Sequence, residues 1–210
     1  MGVRAVEVPA VCPGSFRSRS AAGSSPRWRA DPTGPPVTIA GVPTPEPSIG
    51  EPSTLTHVDA TGAARMVDVS GKAVSSREAL ATGVLRTTAE VAGLLRDGAL
   101  PKGDALATAR IAGIMAAKRT PDLVPLCHPI AISGVAVDLV VGDAEVRIAA
   151  TVRTADRTGV EMEALTAVAV AGLTLHDMIK AVDPAAVLDA VRVERKAGGK
   201  TGLWTRPEGS

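Results

Sequence analysis

Thr158-Gly-Val-Glu-Met-Glu-Ala-Leu-Thr166, running on through an apolar stretch to Leu175-His-Asp-Met-Ile-Lys180, is the segment whose reading decides the fold. From Ala164 to Leu175 every residue is Ala, Val, Leu, Gly or Thr, and charge is confined to the two ends. The pattern predicts one long helix, apolar on nearly all sides and therefore buried on nearly all sides. Thr158 and Glu161 have the spacing of a capping box, which would start the helix near Gly159. Asp183-Pro184 would stop it, because proline lacks an N–H and disfavours helix in the residue before it. Asp177 and Lys180 are three apart and share a face. Glu163 and Asp177 are fourteen residues apart, roughly 21 Å along a helix axis. One small-molecule site cannot easily use both ends of one copy. Either the ends serve different sites, or two subunits meet and each supplies a different end; we favour the second. Solvated helix termini are the plain alternative, with Glu161 serving as a cap.

Composition divides the 210-residue chain near position 52. Ten of its 16 prolines fall in the first 52 residues, among many Ser, Gly and Arg and with no apolar period. That composition predicts a disordered tail over 1–52 and a folded body over 53–207. The tail has no apolar run after its early charges, unlike a secretory signal. No stretch of transmembrane length is free of charge, so no membrane partner is expected. Setting aside the five arginines and four acids of the first 52 residues, 18 basic and 18 acidic residues remain, which argues against a nucleic-acid binder. Cys12 and Cys127 fall in different parts of the chain, which predicts no disulfide framework and a cytoplasmic location. The body has a single aromatic residue, Trp204, so its core must be built from small aliphatics, and oligomerisation would help to complete it. Its basic residues are mostly arginine. Each of the six lysines (Lys72, Lys102, Lys118, Lys180, Lys196 and Lys200) therefore marks a place where a compact charge with a tunable pKa serves better than a planar fork.

Along the body, Arg65–Ser70 reads as a short extended piece turned by Gly71, and Ser76–Arg86 as a strand. Thr87 and Glu90 form a second capping box, opening a helix that Asp97-Gly98 ends. Asp104 is a good N-cap for a helix over Ala105–Arg119, with Pro121 beyond it. Ile132–Val141 and Glu145–Thr154 alternate with period two around Gly142-Asp143, the pattern of a hairpin. After the long helix come a short helix over Pro184–Leu188, a strand over Val191–Arg195, and the glycine-rich loop Lys196–Gly202. Interleaved helices and strands with a hairpin define an α+β fold, helices on one face of a mainly antiparallel sheet.

Four lysines could gather into an anion pocket: Lys102 before a helix, Lys118 at that helix's far end, Lys180 beside Asp177, and Lys200 in Gly-Gly-Lys-Thr-Gly. Gly198 and Gly199 could bring backbone N–H groups to phosphate oxygens, although the spacing is not that of a Walker A loop and a flexible hairpin loop is the alternative. Cys127-His128 is a poor metal motif, because the body holds too few spaced ligands for tetrahedral zinc. His128 as a hydrogen-bond donor to substrate is more economical, with a structural histidine as the alternative. A carboxylate at Glu161 or Glu163 suits a guanidine-like edge such as the amino-pyrimidinone of guanine or pterin.

Leu55-Thr-His-Val-Asp, Met66-Val-Asp-Val-Ser, Lys102-Gly-Asp, Ala107-Thr-Ala-Arg-Ile-Ala-Gly-Ile, Ala116-Ala-Lys-Arg-Thr, Leu126-Cys-His-Pro, Thr158-Gly-Val-Glu-Met-Glu-Ala-Leu-Thr, Asp177-Met-Ile-Lys and Gly198-Gly-Lys-Thr-Gly together resemble the cyclic pyranopterin monophosphate synthases of molybdenum cofactor biosynthesis, the MoaC family. The resemblance spans Leu55 to Trp204. It implies a ferredoxin-like fold and a homohexamer built as a trimer of dimers with sites at subunit interfaces. It implies a lyase that rearranges 3′,8-cyclo-7,8-dihydro-GTP to cyclic pyranopterin monophosphate and releases pyrophosphate. By motif, Asp177 and Lys180 are the acid/base pair and Lys102 a further catalytic lysine. Lys118 and Lys200 line the phosphate end. Leu126, Cys127, His128, Met162 and Glu163 contact substrate, with Glu161 nearby. No redox cofactor or metal-ligand set is evident, and a Mg2+ ion carried on the pyrophosphate is compatible with the chemistry. The chain departs from the family pattern at His176, where an aromatic is common, at Ala197 in place of a frequent Ser, and at Arg157, where Lys can occur. A non-catalytic oligomeric protein that binds a purine or pterin nucleotide is the competing class, and the four motif lysines argue against it.

Overall fold

The computed structural model describes residues 63–207; the expected tail over 1–52 and the Leu55–Asp59 motif lie outside the described residues. The elements follow in the order β1 (Ser75–Arg86), α1 (Ala89–Asp97), α2 (Ala105–Ala117), α3 (Thr120–Leu123), β2 (Ile132–Val141), β3 (Glu145–Asp156), α4 (Glu161–Ile179), β4 (Val187–Ala197) and β5 (Trp204–Thr205). The sheet order is β2-β3-β1-β4-β5, with every pairing antiparallel. Its first four strands have the strand order of a ferredoxin-like fold, as the family resemblance implied. β1 and β3 pair in unbroken register from Ser75↔Asp156 to Arg86↔Glu145. The β1–β4 ladder shifts at Leu80/Ala81 and Thr82/Val84.

The period-two alternation of β3 decides which face is covered. Val146, Ile148, Ala150 and Val152 are buried toward the helices, whereas Arg147 and Arg153 face out. On the outer face Glu78 lies between Arg153, at 2.6 Å, and Arg195. α4 rests on β1, β3 and β4, and α2 packs beside it over β2. The inner stripe of α4 (Ala164, Ala167, Val168, Ala171, Leu175 and Ile179) is fully buried. Among the described residues the core contains no aromatic; its largest fully buried side chains include Leu85, Ile148, Leu175 and Ile179, each contributing about 1.5–3 kcal/mol by burial.

Local chemistry departs from expectation in five places. α4 starts at Glu161 and not near Gly159, and its N-cap is Val160 with no side-chain cap, so the Thr158/Glu161 capping box does not form. It ends at Ile179, before the Asp183-Pro184 stop. Asp183 is instead buried, accepting from Thr87 Oγ1 at 2.8 Å and from the Ala185 N–H at 3.1 Å. That contact occupies Thr87, and the cap of α1 is Thr88, whose hydroxyl accepts from the Val91 N–H. Pro184–Leu188 forms no helix: Val187 and Leu188 are already strand, paired with Arg86 and Leu85. Asp104 caps α2 as expected, although α2 closes at Ala117.

The other correction concerns α4 itself. Only one side of it is buried within the chain; Leu173 is 62 % exposed, and Ile111 and Met115 on α2 are 59 % and 49 % exposed. α4 alone among the described residues is long and apolar enough to cross a membrane, yet half of it is packed inside the fold, as suits a core helix.

Candidate active site

The chemistry-bearing residues gather at the two ends of α4. At its C-terminal end, helical spacing puts Lys180 one turn beyond Asp177, and Lys180 Nζ lies 2.7 Å from Asp177 Oδ1. The loop before α2 brings Lys102 to the same carboxylate: its Nζ donates to Asp177 Oδ2 at 3.0 Å and to the Asp177 carbonyl at 2.7 Å. Asp177 thus bridges two ammonium groups. Bonding to Lys180 and then to Lys102 holds its carboxyl down at about 2, so it is a fixed anion at neutral pH. This cluster unites the three residues expected to be catalytic.

At the N-terminal end, Glu161 and Glu163 both lie in the first helical turn and diverge. Glu161 turns to Lys196 on β4, Oε1 to Nζ 2.9 Å. Its carboxylate folds over Gly159, where any Cβ would collide with it. Glu163 turns inward and is 3 % exposed. Burial, reinforced by the charge of Glu161, pushes its carboxyl up to about 7. Burial also raises the Cys127 thiol, and the negative charge of Glu163 adds to the rise, so Cys127 is not an activated nucleophile. Next to it His128 Nε2 lies 2.7 Å from the Val67 carbonyl. A carbonyl only accepts, so Nε2 carries the hydrogen and Nδ1 is left for another partner. Leu126 is half-buried in the same loop, and Met162 is 39 % exposed. Lys118 is the exposed C-cap of α2. α2 runs antiparallel to α4, with Lys102 at one end and Gly113 against Ala167 midway, which puts Lys118 at the Glu163 end.

Beside this end opens a cleft of about 730 Å³, lined by Lys72, Arg77, Arg157, Lys196 and Lys200 together with Glu78 and Glu161. Arg77 donates Nε to the Asp156 carbonyl at 2.9 Å and Nη2 to the Arg157 carbonyl at 3.1 Å. Gly198 and Gly199 have φ of 94° and 70° and lie against Ser76 and the Arg77 guanidinium, where a Cβ would collide. Their first duty is therefore to let the loop lie on β1. Ser75 Oγ, also on the cleft wall, is the one buried side-chain polar atom among the described residues without a hydrogen-bond partner. Among the described residues no group of three or more His, Cys, Asp or Glu could hold a metal ion.

The structure therefore unites Lys102, Asp177 and Lys180. It places Leu126, Cys127, His128, Met162, Glu161, Glu163, Lys118 and Lys200 around the opposite end. The sequence did not mark Lys72 and Lys196 as site residues, although both belong to the scarce lysines. Arg77 carried no signal, as one among many arginines, and Arg157 was marked only as a departure from the family pattern.

The ferredoxin-like α+β scaffold thus carries a carboxylate–dilysine cluster at one end of α4 and a cleft lined by cationic side chains beside the other. Residues 66–199 match the model of the MoaC family. The chain is 67 % identical over 152 residues to the cyclic pyranopterin monophosphate synthase of Streptomyces coelicolor, covering 72 % of this chain and 89 % of the relative. It is 64 % identical over 152 residues, with 72 % and 91 % covered, to cyclic pyranopterin monophosphate synthase 2 of Mycobacterium tuberculosis H37Rv. It is 57 % identical over 153 residues, with 73 % and 99 % covered, to the Corynebacterium efficiens synthase. The chain belongs to the MoaC family.

Proposed function

We propose that the protein converts 3′,8-cyclo-7,8-dihydro-GTP to cyclic pyranopterin monophosphate with release of pyrophosphate, as a cytoplasmic lyase of molybdenum cofactor biosynthesis. The observation that carries this reading is Asp177 held between Lys102 and Lys180 at 3.0 and 2.7 Å in a chain whose relatives bear the synthase's name. Opening and reclosing rings requires protons to move at defined atoms, and an ammonium oriented by a fixed carboxylate is suited to deliver one. Asp177 itself stays ionised and acts by orienting. The cations of the cleft match a triphosphate and would stabilise charge developing on departing pyrophosphate. A Mg2+ ion accompanying that pyrophosphate fits the same chemistry.

Glu163 and Asp177 stand roughly 21 Å apart along α4, too far for one substrate within one chain. The proposed active unit is therefore an interface between two copies, within a homohexamer arranged as a trimer of dimers. The exposed Leu173, Ile111 and Met115 supply apolar surface for such contacts. Glu163, His128 and Cys127 then recognise the pterin-like base, with Leu126 and Met162 against its ring, while Lys118 and Lys200 join the cleft in holding phosphate. The test supplies purified protein with the cyclised dihydro-GTP and follows pyrophosphate and cyclic pyranopterin monophosphate together. Equal release of both is expected. A folded oligomer that binds the substrate and releases neither would instead be a nucleotide-binding protein.

A further inference from the structure

A short segment joins the two sides of the N-terminal site. Val67–Lys72 precedes β1 and has no regular secondary structure, yet it is pinned along its length. At one end the Val67 carbonyl accepts from His128 Nε2 at 2.7 Å. In the middle Asp68 Oδ1 accepts from the Ser70 N–H at 2.8 Å, and the Lys72 N–H donates to the Val69 carbonyl at 3.0 Å, forming a tight turn. At the other end the Lys72 carbonyl accepts from Arg157 Nε at 3.0 Å. Arg157 is itself anchored: its carbonyl accepts from Arg77 Nη2, and its N–H donates to Asp156 Oδ1 at 2.7 Å. The Lys72 side chain lines the cleft. The segment is a strap, tied to the His128 loop at one end and to the cleft rim at the other.

We propose that Arg157 is a positioning residue: through its Nε–H bond to the Lys72 carbonyl it fixes the Val67–Lys72 strap, and so sets Lys72 in the cleft in register with His128. This inference rests on the proposed reaction for its kinetic arm only. Arg157 also lines the cleft, so its charge could act on phosphate directly, and the two roles separate by chemistry. Gln carries an amide nitrogen at the same distance along the side chain as Arg Nε, and can donate to the Lys72 carbonyl without any charge. Ala can do neither.

The test compares Arg157→Gln and Arg157→Ala in the full-length protein by amide hydrogen exchange and by steady-state turnover. Exchange at Ser70 and Lys72, whose amides the strap protects, is expected to rise about tenfold in R157A and to stay within about threefold of wild type in R157Q, with α4 amides unchanged in both. KM is expected to rise about tenfold in R157A and less than threefold in R157Q, with kcat little changed in either. Equal losses in both variants would assign Arg157 a charge contact with phosphate and overturn the proposal. Unchanged exchange at Ser70 and Lys72 in R157A would overturn it too. If the wild-type protein turns nothing over, the functional reading fails while the exchange arm still decides the strap.

Discussion

Replacing Glu163 by Gln should make the protein more stable at pH 8 and scarcely alter it near pH 4.5. Glu163 is 3 % exposed, and its carboxyl is raised from 4.5 to about 7, chiefly by burial. The folded protein therefore holds a proton there that the unfolded chain has already released. Stability from this group is fully present below pH 4.5, falls as the pH rises, and levels off above about 7. Taken whole, that shift amounts to about 3 kcal/mol. The neighbouring Cys127–His128 loop is only half-buried, so screening by water reduces the figure to roughly 1–2 kcal/mol. Gln keeps the shape and cannot ionise, so it escapes the loss. Urea unfolding at pH 4.5 and pH 8, at one fixed protein concentration, reads the effect directly. The gap between E163Q and wild type should grow from near zero to about 1–2 kcal/mol, or a few degrees in Tm. A gap independent of pH, or a variant less stable at pH 8, would refute the argument. Turnover should move the other way, falling at least tenfold, since a group kept at a cost in stability is expected to act on the substrate.

Two further outcomes test other parts of the structure. Asp177→Asn should remain folded, with turnover reduced at least a hundredfold, because the two ammonium groups lose the anion that orients them; since Asp177 sits at about 2, its own contribution is present above pH 3.8 and fades only as the pH falls toward 2, so thermal melts should show no step from it between pH 5 and 8. Gly113→Ala should destabilise by about 1–3 kcal/mol in thermal unfolding, because the new Cβ would meet the Ala167 carbonyl oxygen at 2.9 Å, where backbone cannot yield cheaply.

How much was legible in the chain depends on whether the deciding partner was local. The β2–β3 hairpin was, because alternation and the Gly142-Asp143 turn are properties of adjacent residues. So was the Asp104 cap, which needs only an amide three residues on. The capping box at Thr158 failed because Glu161 has a better partner in Lys196, on a strand 35 residues away in sequence, which no local pattern announces. The box at Thr87 failed for the same reason, its hydroxyl being taken by Asp183. Pro184–Leu188 has the composition of a helical turn, and pairing of Val187 and Leu188 with β1 overrides it. The Asp177–Lys180 pair was visible from helical spacing, whereas Lys102 was read from its position only as part of an anion pocket and took its catalytic role from the family motif. The cleft was half-hidden: Lys200 stood in a glycine-rich loop, but Arg77 acts through backbone carbonyls and carries no motif of its own.

A helix needs only one apolar stripe to rest on a sheet, and Ala164, Ala167, Val168, Ala171, Leu175 and Ile179 supply it. The opposite side is apolar too, and in the single chain Leu173 is left 62 % exposed. Apolar surface beyond what the chain's own fold covers is the signature of a second contact. On the proposed assembly that contact and the chemistry are one requirement. The same 19-residue helix that separates Glu163 from Asp177 in one copy can bring the Asp177 end of one subunit to the Glu163 end of another. Polar substitution at Leu173, which touches neither cluster, should then lower activity through assembly alone, in a way that raising the protein concentration reverses.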